Sequence, residues 1–164
     1  RVLTAGDVCR VEIFSMINGY HAGVCRTAVV GEPPPQAERV YANLVACKQL
    51  VLDSLVPGTP AADVYAVFRR TFDELGMPPI SFVGHGIGTS LHEDPQVPNF
   101  GDPGRGARLK PGLVLAVEPM VNAGSPGVEV DADGWTARTK DGSLSAHFEY
   151  SIAVTEDGAR VLGR

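Results

Sequence analysis

The dipeptide Asn18-Gly19, which separates two segments of alternating polarity, is the feature that most restricts how this chain can fold. An Asn-Gly pair in this setting is the strongest short-range signal for a two-residue β-hairpin. We therefore predict a strand over Val8 to Phe14 and an antiparallel return strand over Tyr20 to Val30. The sheet of this protein should begin with this hairpin.

The hairpin determines which side chains face each other. With the turn at residues 18 and 19, Glu12 lies opposite Cys25 and Phe14 lies opposite Gly23. Because side chains alternate between the two faces of a strand, Glu12, Gly23 and Cys25 share one face. We expect the functional side chains of the hairpin to lie on this face.

Two helices are predicted between the hairpin and the remaining strands. Pro and Gly residues over 31–35 interrupt the strand pattern, and Pro57-Gly58 stops the first helix. Thr59 caps the second helix, Pro60 suits its first position and Gly76 ends it. Apolar residues recur at helical spacing in both segments: Val40, Leu44, Val45, Val51, Leu52 and Leu55 in the first, and Val64, Phe68, Phe72 and Leu75 in the second. Both helices should cover the core.

The second half of the chain is rich in predicted strands. Ile80 to Leu91 is a short glycine-rich segment, and Pro95 to Gly112 is a long loop that we place on the substrate side. Strands are predicted over Leu113 to Val117, Val128 to Val130, Trp135 to Thr139 and Leu144 to Val154, with Trp135 in core or sheet packing. Helices segregated between blocks of strands favour the α+β class, with a curved antiparallel sheet covered by helices on one face.

Composition restricts the class of protein further. The 164 residues, 44% of them hydrophobic, suit a single domain over 1–164 with its own core. A net charge of -5 with scattered Lys and Arg argues against a nucleic-acid partner, and no apolar run reaches the roughly 20 residues of a membrane span. Three cysteines without CxxC spacing favour a reducing, cytoplasmic location. Since the chain opens at Arg1 and soon enters a strand, we expect an N-terminally truncated domain.

Good metal ligands occur in distant parts of the sequence. His85 is flanked by glycines, which allow close approach of backbone, metal or substrate, and His92 follows in the same segment. Glu118 ends one apolar strand, and Glu149 lies within another. Because an unpartnered buried carboxylate is costly, membership of an active site explains these two glutamates better than a solvated face does.

These residues, in this order, resemble the pita-bread metallopeptidases, the superfamily of methionine aminopeptidase, Xaa-Pro aminopeptidase and creatinase. The resemblance runs from about Gly6 to Gly158 and is carried by the segments 84–93, 118–120, 133–136 and 145–150. Arg26-Thr27 is similar to the Xaa-Pro branch, whereas residues 133–136 and 145–146 are similar to the methionine branch. The resemblance implies the pita-bread fold and a hydrolase that cleaves an amide or related C–N bond in a small peptide-like or amino-acid-like substrate.

The resemblance also implies two divalent metals held by two Asp, one His and two Glu. The matching positions are Glu12, Gly23, His85, Glu118 and Glu149. The first Asp is thus replaced by Glu12 and the bridging Asp by Gly23, which offers no ligand. We predict a degenerate site in which His85, Glu118 and Glu149 hold one divalent ion (Mn, Co, Zn or Fe) or none, with Glu12 either as a fourth ligand or as part of a solvated sheet face.

Further roles are implied by the same resemblance. His92 and Glu118 are the expected catalytic residues, and His21, Cys25 and His92 are expected to contact substrate. His147, two residues before Glu149, is a hypothetical replacement ligand. Two alternatives stay open: a metal-free hydrolase of the creatinase or ectoine hydrolase kind, and a catalytically silent binding protein. A homodimer is also left open.

Overall fold

The opening hairpin of the predicted fold is confirmed. The computed structural model describes residues 2–74, 76, 84–98 and 102–163. Strand β1 (Val8–Ile17) pairs antiparallel with β2 (Tyr20–Val29). Asn18 and Gly19 form the turn with φ angles of 52° and 83°. Positive φ at both positions matches the twist of the flanking strands, which explains why Asn and Gly occur here.

The register of the hairpin is also as predicted. Glu12 pairs with Cys25, and Phe14 pairs with Gly23. Glu12 and Cys25 therefore point to the same face of the sheet, because directly opposed residues on adjacent strands share a face.

Two helices follow the hairpin in the described part of the chain. α1 (Pro35–Ser54) starts with a proline, whose missing N–H is not needed in the first turn, and α2 (Ala61–Glu74) starts one residue after Pro60. Residues of both predicted stripes are buried: Val40, Leu44, Val51, Leu55, Val64, Phe68 and Phe72. Val45 is instead 37% exposed, and Leu75 lies outside the described residues. Neither helix is both long enough and apolar enough to cross a membrane.

The remaining strands are mostly short. In chain order they are β3 (Gly84–Gly86), β4 (Glu93–Val97), β5 (Val114–Val117), β6 (Met120–Asn122), β7 (Val128–Val130), β8 (Ala137–Thr139), β9 (Ser145–His147), β10 (Glu149–Thr155) and β11 (Gly158–Leu162). Seven of the described strands form one sheet in the order β1-β2-β10-β5-β3-β4, in which β11 also pairs with β10. Its described pairings are all antiparallel. Two further pairs, β6 with β9 and β7 with β8, lie outside this sheet.

The hydrophobic core lies between the helices and one face of the large sheet. Its members include Leu44, Cys47 and Val51 of α1, Phe68 and Phe72 of α2, and Leu115, Val117, Ile152 and Val154 of the sheet. Because side chains alternate along a strand, Glu118 after Val117 and Glu149 before Tyr150 belong to the opposite face. The α+β class predicted from the sequence is confirmed, and the face away from the helices carries the candidate site.

The predicted strand over Leu144 to Val154 is wrong as a single element. It is divided at Phe148 into β9 and β10, which pair with different strands and belong to different sheets. Phe148 itself is buried in the core. Periodicity alone could not locate this division, because the whole segment is largely apolar and the change of partner is a long-range effect.

Two other predictions also need correction. Trp135 is 90% exposed rather than packed, because it lies in a turn in which the Asp133 carboxylate accepts the backbone N–H groups of Trp135 and Thr136. The predicted long loop over Pro95 to Gly112 contains the end of strand β4, and the glycine-rich segment Ile80 to Leu91 contains β3. Residues 80–83 and 99–101 lie outside the described part of the chain.

Candidate active site

Three neighbouring strands place a carboxylate, a thiol and a second carboxylate side by side. Glu12 of β1 pairs with Cys25 of β2, and Cys25 pairs in turn with Glu149 at the start of β10. Cys25 and Glu149 are fully buried, whereas the Glu12 side chain is 28% exposed. The row therefore runs from the accessible edge of the sheet into its interior.

Glu118 and His85 extend this row from the other side. The register between β5 and β10 brings Glu118, the residue after β5, opposite Glu149. His85 pairs with Ala116, two residues before Glu118 and so on the same face. His85 Nε2 lies 3.4 Å from Glu118 Oε1, and Nδ1 lies 2.8 Å from the carbonyl oxygen of Gly86. Nδ1 therefore carries the hydrogen and donates it to Gly86, which leaves the Nε2 lone pair facing Glu118.

His147, at the end of β9, lies at the centre of the cluster. Its backbone is held by the Thr27 hydroxyl, which donates to the His147 carbonyl at 2.7 Å and accepts the His147 N–H at 3.0 Å. Nδ1 lies 4.0 Å from Glu12 Oε2, and Nε2 lies 3.7 Å from Glu118 Oε2. Within the described structure, both ring nitrogens and both carboxylate oxygens of Glu149 are buried without a hydrogen-bond partner. Buried polar atoms without partners are costly, so these atoms are sites for a cation, a proton or a water molecule.

Burial controls the protonation of this cluster. It raises the pKa of Glu118 to about 8 and the pKa of Glu149 to about 7, and neighbouring carboxylates add to both shifts. Burial also lowers the pKa of His147 to about 3 and the pKa of His85 below its usual value. Both imidazoles are therefore neutral near pH 7, which is the form that binds metals.

Gly23 occupies the position at which the resemblance implies a bridging aspartate. A Cβ on Gly23 would collide with Glu149 Oε1 and lie 2.7 and 2.8 Å from two ring carbons of Phe14. The Ser151 hydroxyl accepts the Gly23 N–H and donates to the Gly23 carbonyl, both at 3.0 Å. The residues therefore do not fit two bridged metals, because Gly23 supplies no bridging ligand and the side chains of Glu149 and Phe14 occupy the space beside it.

A single cation fits the cluster better than a pair. Among the described residues, the group of three ligating side chains whose donor atoms all lie within 4.8 Å of one another is Glu12, Cys25 and His147. The three ligands predicted from the sequence, His85, Glu118 and Glu149, do not form such a group, and their assignment stays a prediction. The orphaned atoms of His147 and Glu149 are the observation that favours an ion.

An open pocket of about 730 Å³ lies in front of the cluster. It is lined by Arg10, Glu12, His85, His92, Glu93, Asp94, Gln96, Glu118, Met120 and Ala137. His92 is exposed in this wall, and its ring centroid lies 4.3 Å from that of His85. The described lining holds four carboxyl groups and one guanidinium, and because Glu118 is mainly neutral near pH 7, Glu12, Glu93 and Asp94 supply its negative charge.

The structure brings the predicted substrate residues together only in part. His92 lines the pocket, whereas neither His21 nor Cys25 is among the described lining residues. His21 donates its backbone N–H to the Gly88 carbonyl at 2.7 Å, and its Nδ1 lies 3.2 Å from the same oxygen. The Cys25 thiol is buried behind Glu12, and burial raises its pKa to about 12. The substrate roles of His21 and Cys25 stay predictions.

Sequence reasoning missed several residues of the pocket wall. Arg10 lies two residues before Glu12 and on the same face, so strand alternation could have identified it. Gln96, Met120 and Ala137 come from β4, β6 and β8. Their positions depend on long-range contacts between short strands, for which the sequence carries no local signal.

The chain is similar in sequence to known methionine aminopeptidases. Methionine aminopeptidase A from Synechocystis is 43% identical over 163 residues, which cover 99% of this chain and 64% of that protein. Methionine aminopeptidase 1 from Bacillus subtilis is 41% identical over 165 residues, which cover 100% of this chain and 66% of that protein. The chain thus spans about two thirds of the length of these relatives.

Solved structures show the same fold. The methionine aminopeptidase from Thermotoga maritima matches with a TM-score of 0.94 and 38% identity over 98% of this chain and 65% of that one. The prolidase from Pyrococcus furiosus matches with a TM-score of 0.79 and 22% identity over 98% and 43% of the two chains, a likeness of fold alone. A family model described as metallopeptidase family M24 matches residues 1–156. The chain therefore has the pita-bread fold and belongs to metallopeptidase family M24.

Proposed function

We propose that the chain is an aminopeptidase-type hydrolase that cleaves an amide or related C–N bond in a small peptide-like or amino-acid-like substrate. The observation that carries this proposal is the pocket of about 730 Å³ whose wall contains Glu12, His85, His92 and Glu118. A cleft with convergent titratable groups is the usual form of a hydrolytic site. The identity of 43% and 41% to methionine aminopeptidases supports the same reaction class.

The charge of the pocket favours the amino end of a peptide. Glu12, Glu93 and Asp94 line it together with Arg10, and Glu118, whose pKa burial raises to about 8, lines it mainly in its neutral form near pH 7. A protonated α-amine is attracted by such a surface, because the carboxylates outnumber the guanidinium. A preference for a protonated α-amine suits an enzyme that removes N-terminal residues. The names of the relatives make a peptide that begins with methionine the first substrate to test.

Glu118 and the neighbouring histidines are suited to proton transfer. With a pKa raised to about 8 by burial, Glu118 can hold a proton near neutral pH and release it to a leaving amine. The Nε2 lone pair of His85, 3.4 Å away, is the adjacent acceptor. His92 is exposed in the pocket wall, where its ring can donate a hydrogen bond to the substrate carbonyl oxygen as negative charge develops there.

A divalent cation fits this chemistry as a single ion. When bound, such an ion polarises the substrate carbonyl and lowers the pKa of a bound water. The residues that would hold it belong to the cluster around His147 and Glu149, whose buried atoms lack partners in the described structure. The ligand types admit Mn, Co, Zn or Fe. A bridged pair of metals is not part of the proposal, because Gly23 has no carboxylate that could bridge them.

Hydrolysis of a methionyl peptide by the purified chain tests the proposal. The chain is stripped with a chelator and then assayed alone and with Mn²⁺, Co²⁺ or Zn²⁺. We expect cleavage of the first peptide bond, and we expect Glu118→Gln to slow it by about 100-fold or more. Glu156→Gln, in an exposed turn, is the matched control and should leave the rate unchanged. No cleavage under any condition, or an undiminished rate in Glu118→Gln, contradicts the proposal.

A metal-free hydrolase is the second candidate function. Its support is that burial raises the pKa values of Glu118 and Glu149 to about 8 and about 7, so that both carboxyls can act as acid and base without an ion. Cleavage that persists in chelator and does not respond to added ions would favour it. Peptide binding detected by calorimetry without cleavage would favour the catalytically silent binding protein. The lack of a metal-ligating side chain at Gly23 also supports that alternative.

A further inference from the structure

We propose that Glu12, Cys25 and His147 form a binding site for one thiophilic divalent cation, with Zn²⁺ as its representative. The site deepens the proposed function and rests on it for the role of the ion, although binding itself does not require turnover. Only Glu12 occupies a ligand position that the resemblance implies. Cys25 and His147 are ligands particular to this arrangement.

Backbone pairing brings the three side chains together. Glu12 and Cys25 are direct partners across the hairpin. Thr27, two residues after Cys25 and on the same face, holds the backbone of His147 through two hydrogen bonds of 2.7 and 3.0 Å. The imidazole is thereby fixed beside the thiol by the hairpin rather than by a flexible loop. A site built on regular elements holds its ligands with small positional error.

The spacing of the donor atoms suits a tetrahedral ion after small side-chain rotations. The three donor atoms all lie within 4.8 Å of one another, and His147 Nδ1 lies 4.0 Å from Glu12 Oε2. Bonds of about 2.0 to 2.3 Å in a tetrahedral site place donors about 3.3 to 3.7 Å apart. The partly exposed Glu12 side chain can supply most of this adjustment, since the other two ligands are buried.

The His147 side chain is the second observation that indicates a ligand. It is fully buried, and both of its ring nitrogens lack a hydrogen-bond partner within the described structure. A buried polar group without a partner costs on the order of 1 to 3 kcal/mol. A cation bound to His147 Nδ1, the nitrogen that faces Glu12, would remove the cost of leaving that nitrogen without a partner.

Glu118 completes the arrangement on the other side of the ring. Its Oε2 lies 3.7 Å from His147 Nε2, while Oε1 lies 3.4 Å from His85 Nε2. A histidine that binds a metal through one nitrogen usually donates the other N–H to a carboxylate, which fixes its tautomer. A small rotation of Glu118 that shortens this 3.7 Å separation would let it accept that hydrogen, which leaves Nδ1 for the ion.

The donor types determine which ions the site prefers. A thiolate with an imidazole and one carboxylate favours Zn²⁺ or Co²⁺ over Mg²⁺, Ca²⁺ and Mn²⁺, which prefer oxygen. Three protein ligands leave a fourth position open, as in catalytic zinc sites. Because Glu12 also lines the pocket, that open position faces the substrate side.

Cobalt spectroscopy tests the site without reference to turnover. The chelator-stripped chain is titrated with Co²⁺, which gives a near-ultraviolet charge-transfer band when a thiolate is bound. We expect one Co²⁺ per chain, the charge-transfer band, and displacement of Co²⁺ by Zn²⁺ but not by Mg²⁺. Cys25→Ser should abolish the band, and both Cys25→Ser and His147→Gln should weaken binding by about tenfold or more. Circular dichroism confirms that each variant is folded.

Cys9→Ser is the matched control, because Cys9 lies in the same hairpin on the opposite face and should leave the band intact. Binding of Co²⁺ without the band, a band that survives in Cys25→Ser, or no binding at all would each overturn the site. Peptide hydrolysis measured on the same samples separates the two proposals. A charge-transfer band without peptide hydrolysis would contradict only the proposed hydrolase function. Hydrolysis without bound Co²⁺ or Zn²⁺ would contradict only the proposed cation site.

Discussion

At Gly23 the absence of a side chain leaves room for the Glu149 carboxylate and for the ring of Phe14, and a Cβ would meet both. We expect Gly23→Ala to lower the free energy of unfolding by about 1 to 3 kcal/mol, because Glu149 is buried and cannot move away without leaving the cluster. Urea denaturation measures this change.

The Phe14→Ala background separates the two contacts at Gly23. Phe14 is 40% exposed and its removal relieves the ring contact only. The cost of Gly23→Ala should therefore be smaller in Phe14→Ala than in the unaltered chain, but not zero. A neutral or stabilising Gly23→Ala would show that the position has space for a side chain, and the argument against a bridging carboxylate would fail.

Cys47 gives a residue-scale prediction about the core. It lies in α1 and is fully buried among apolar side chains, so burial raises the pKa of its thiol to about 12. Since the thiolate is the reactive form, iodoacetamide should not modify Cys47 in the folded chain at pH 8. Cys9, which is partly exposed, is the internal reference. Mass spectrometry of labelled peptides should show Cys9 modified first and Cys47 only after unfolding in urea; equal rates in the folded chain contradict the prediction.

Among the elements, those with local signals were predictable and those that depend on distant partners were not. The hairpin was predictable down to its register, because the Asn18-Gly19 turn and strand alternation are both local. The short strands β3 and β6 were not, since each has three residues and exists through its pairing. The division of β9 from β10 at Phe148 likewise reflects two different partner strands.

The hairpin turn itself gives an element-scale prediction. Gly19 has a φ of 83°, and a Cβ added to it would meet no atom within 4 Å, so its requirement for glycine is one of backbone conformation and not of space. Gly19→Ala should lower the free energy of unfolding by about 1 to 2 kcal/mol. Asn18→Gly is the control in the same turn and should be nearly neutral, because glycine adopts positive φ freely. Hydrogen exchange of the β1 amides should increase in Gly19→Ala; unchanged exchange and stability would mean that the turn does not maintain the register.

For the molecule as a whole, the sequence predicted which residues lie together on one face of the sheet better than it predicted how they are arranged. Glu12, His85, Glu118 and Glu149 all lie in one cluster on the face away from the helices. Their arrangement depends on His147 at the centre and on the closed space at Gly23. The sequence indicated His147 as a replacement ligand but not its distances to Glu12 and Glu118, and neither periodicity nor motif spacing contains the closed space at Gly23.

The metal-free molecule should become less stable as the pH rises towards 8. Burial raises the pKa of Glu118 from 4.5 to about 8 and the pKa of Glu149 from 4.5 to about 7. Between pH 4.5 and about pH 8 the folded state therefore binds more protons than the unfolded state. The stabilisation is therefore complete below about pH 4.5 and is lost as the pH rises through about 7 and 8. Urea denaturation in chelator should show a loss on the order of 1 kcal/mol or more across this range.

A variant and a cation provide the two controls for this pH dependence. Glu118→Gln removes one titrating group, so the slope between about pH 7 and 8 should flatten. Zn²⁺ should reverse the slope, because it binds deprotonated ligands and competes with protons, and at about 100 times its Kd it should add about 2.7 kcal/mol of stability. A metal-free chain whose stability does not change with pH would mean that the two carboxyls are not buried together when no ion is bound. The cluster would then form only around its cation, and the protein would acquire its site and part of its stability in the same step.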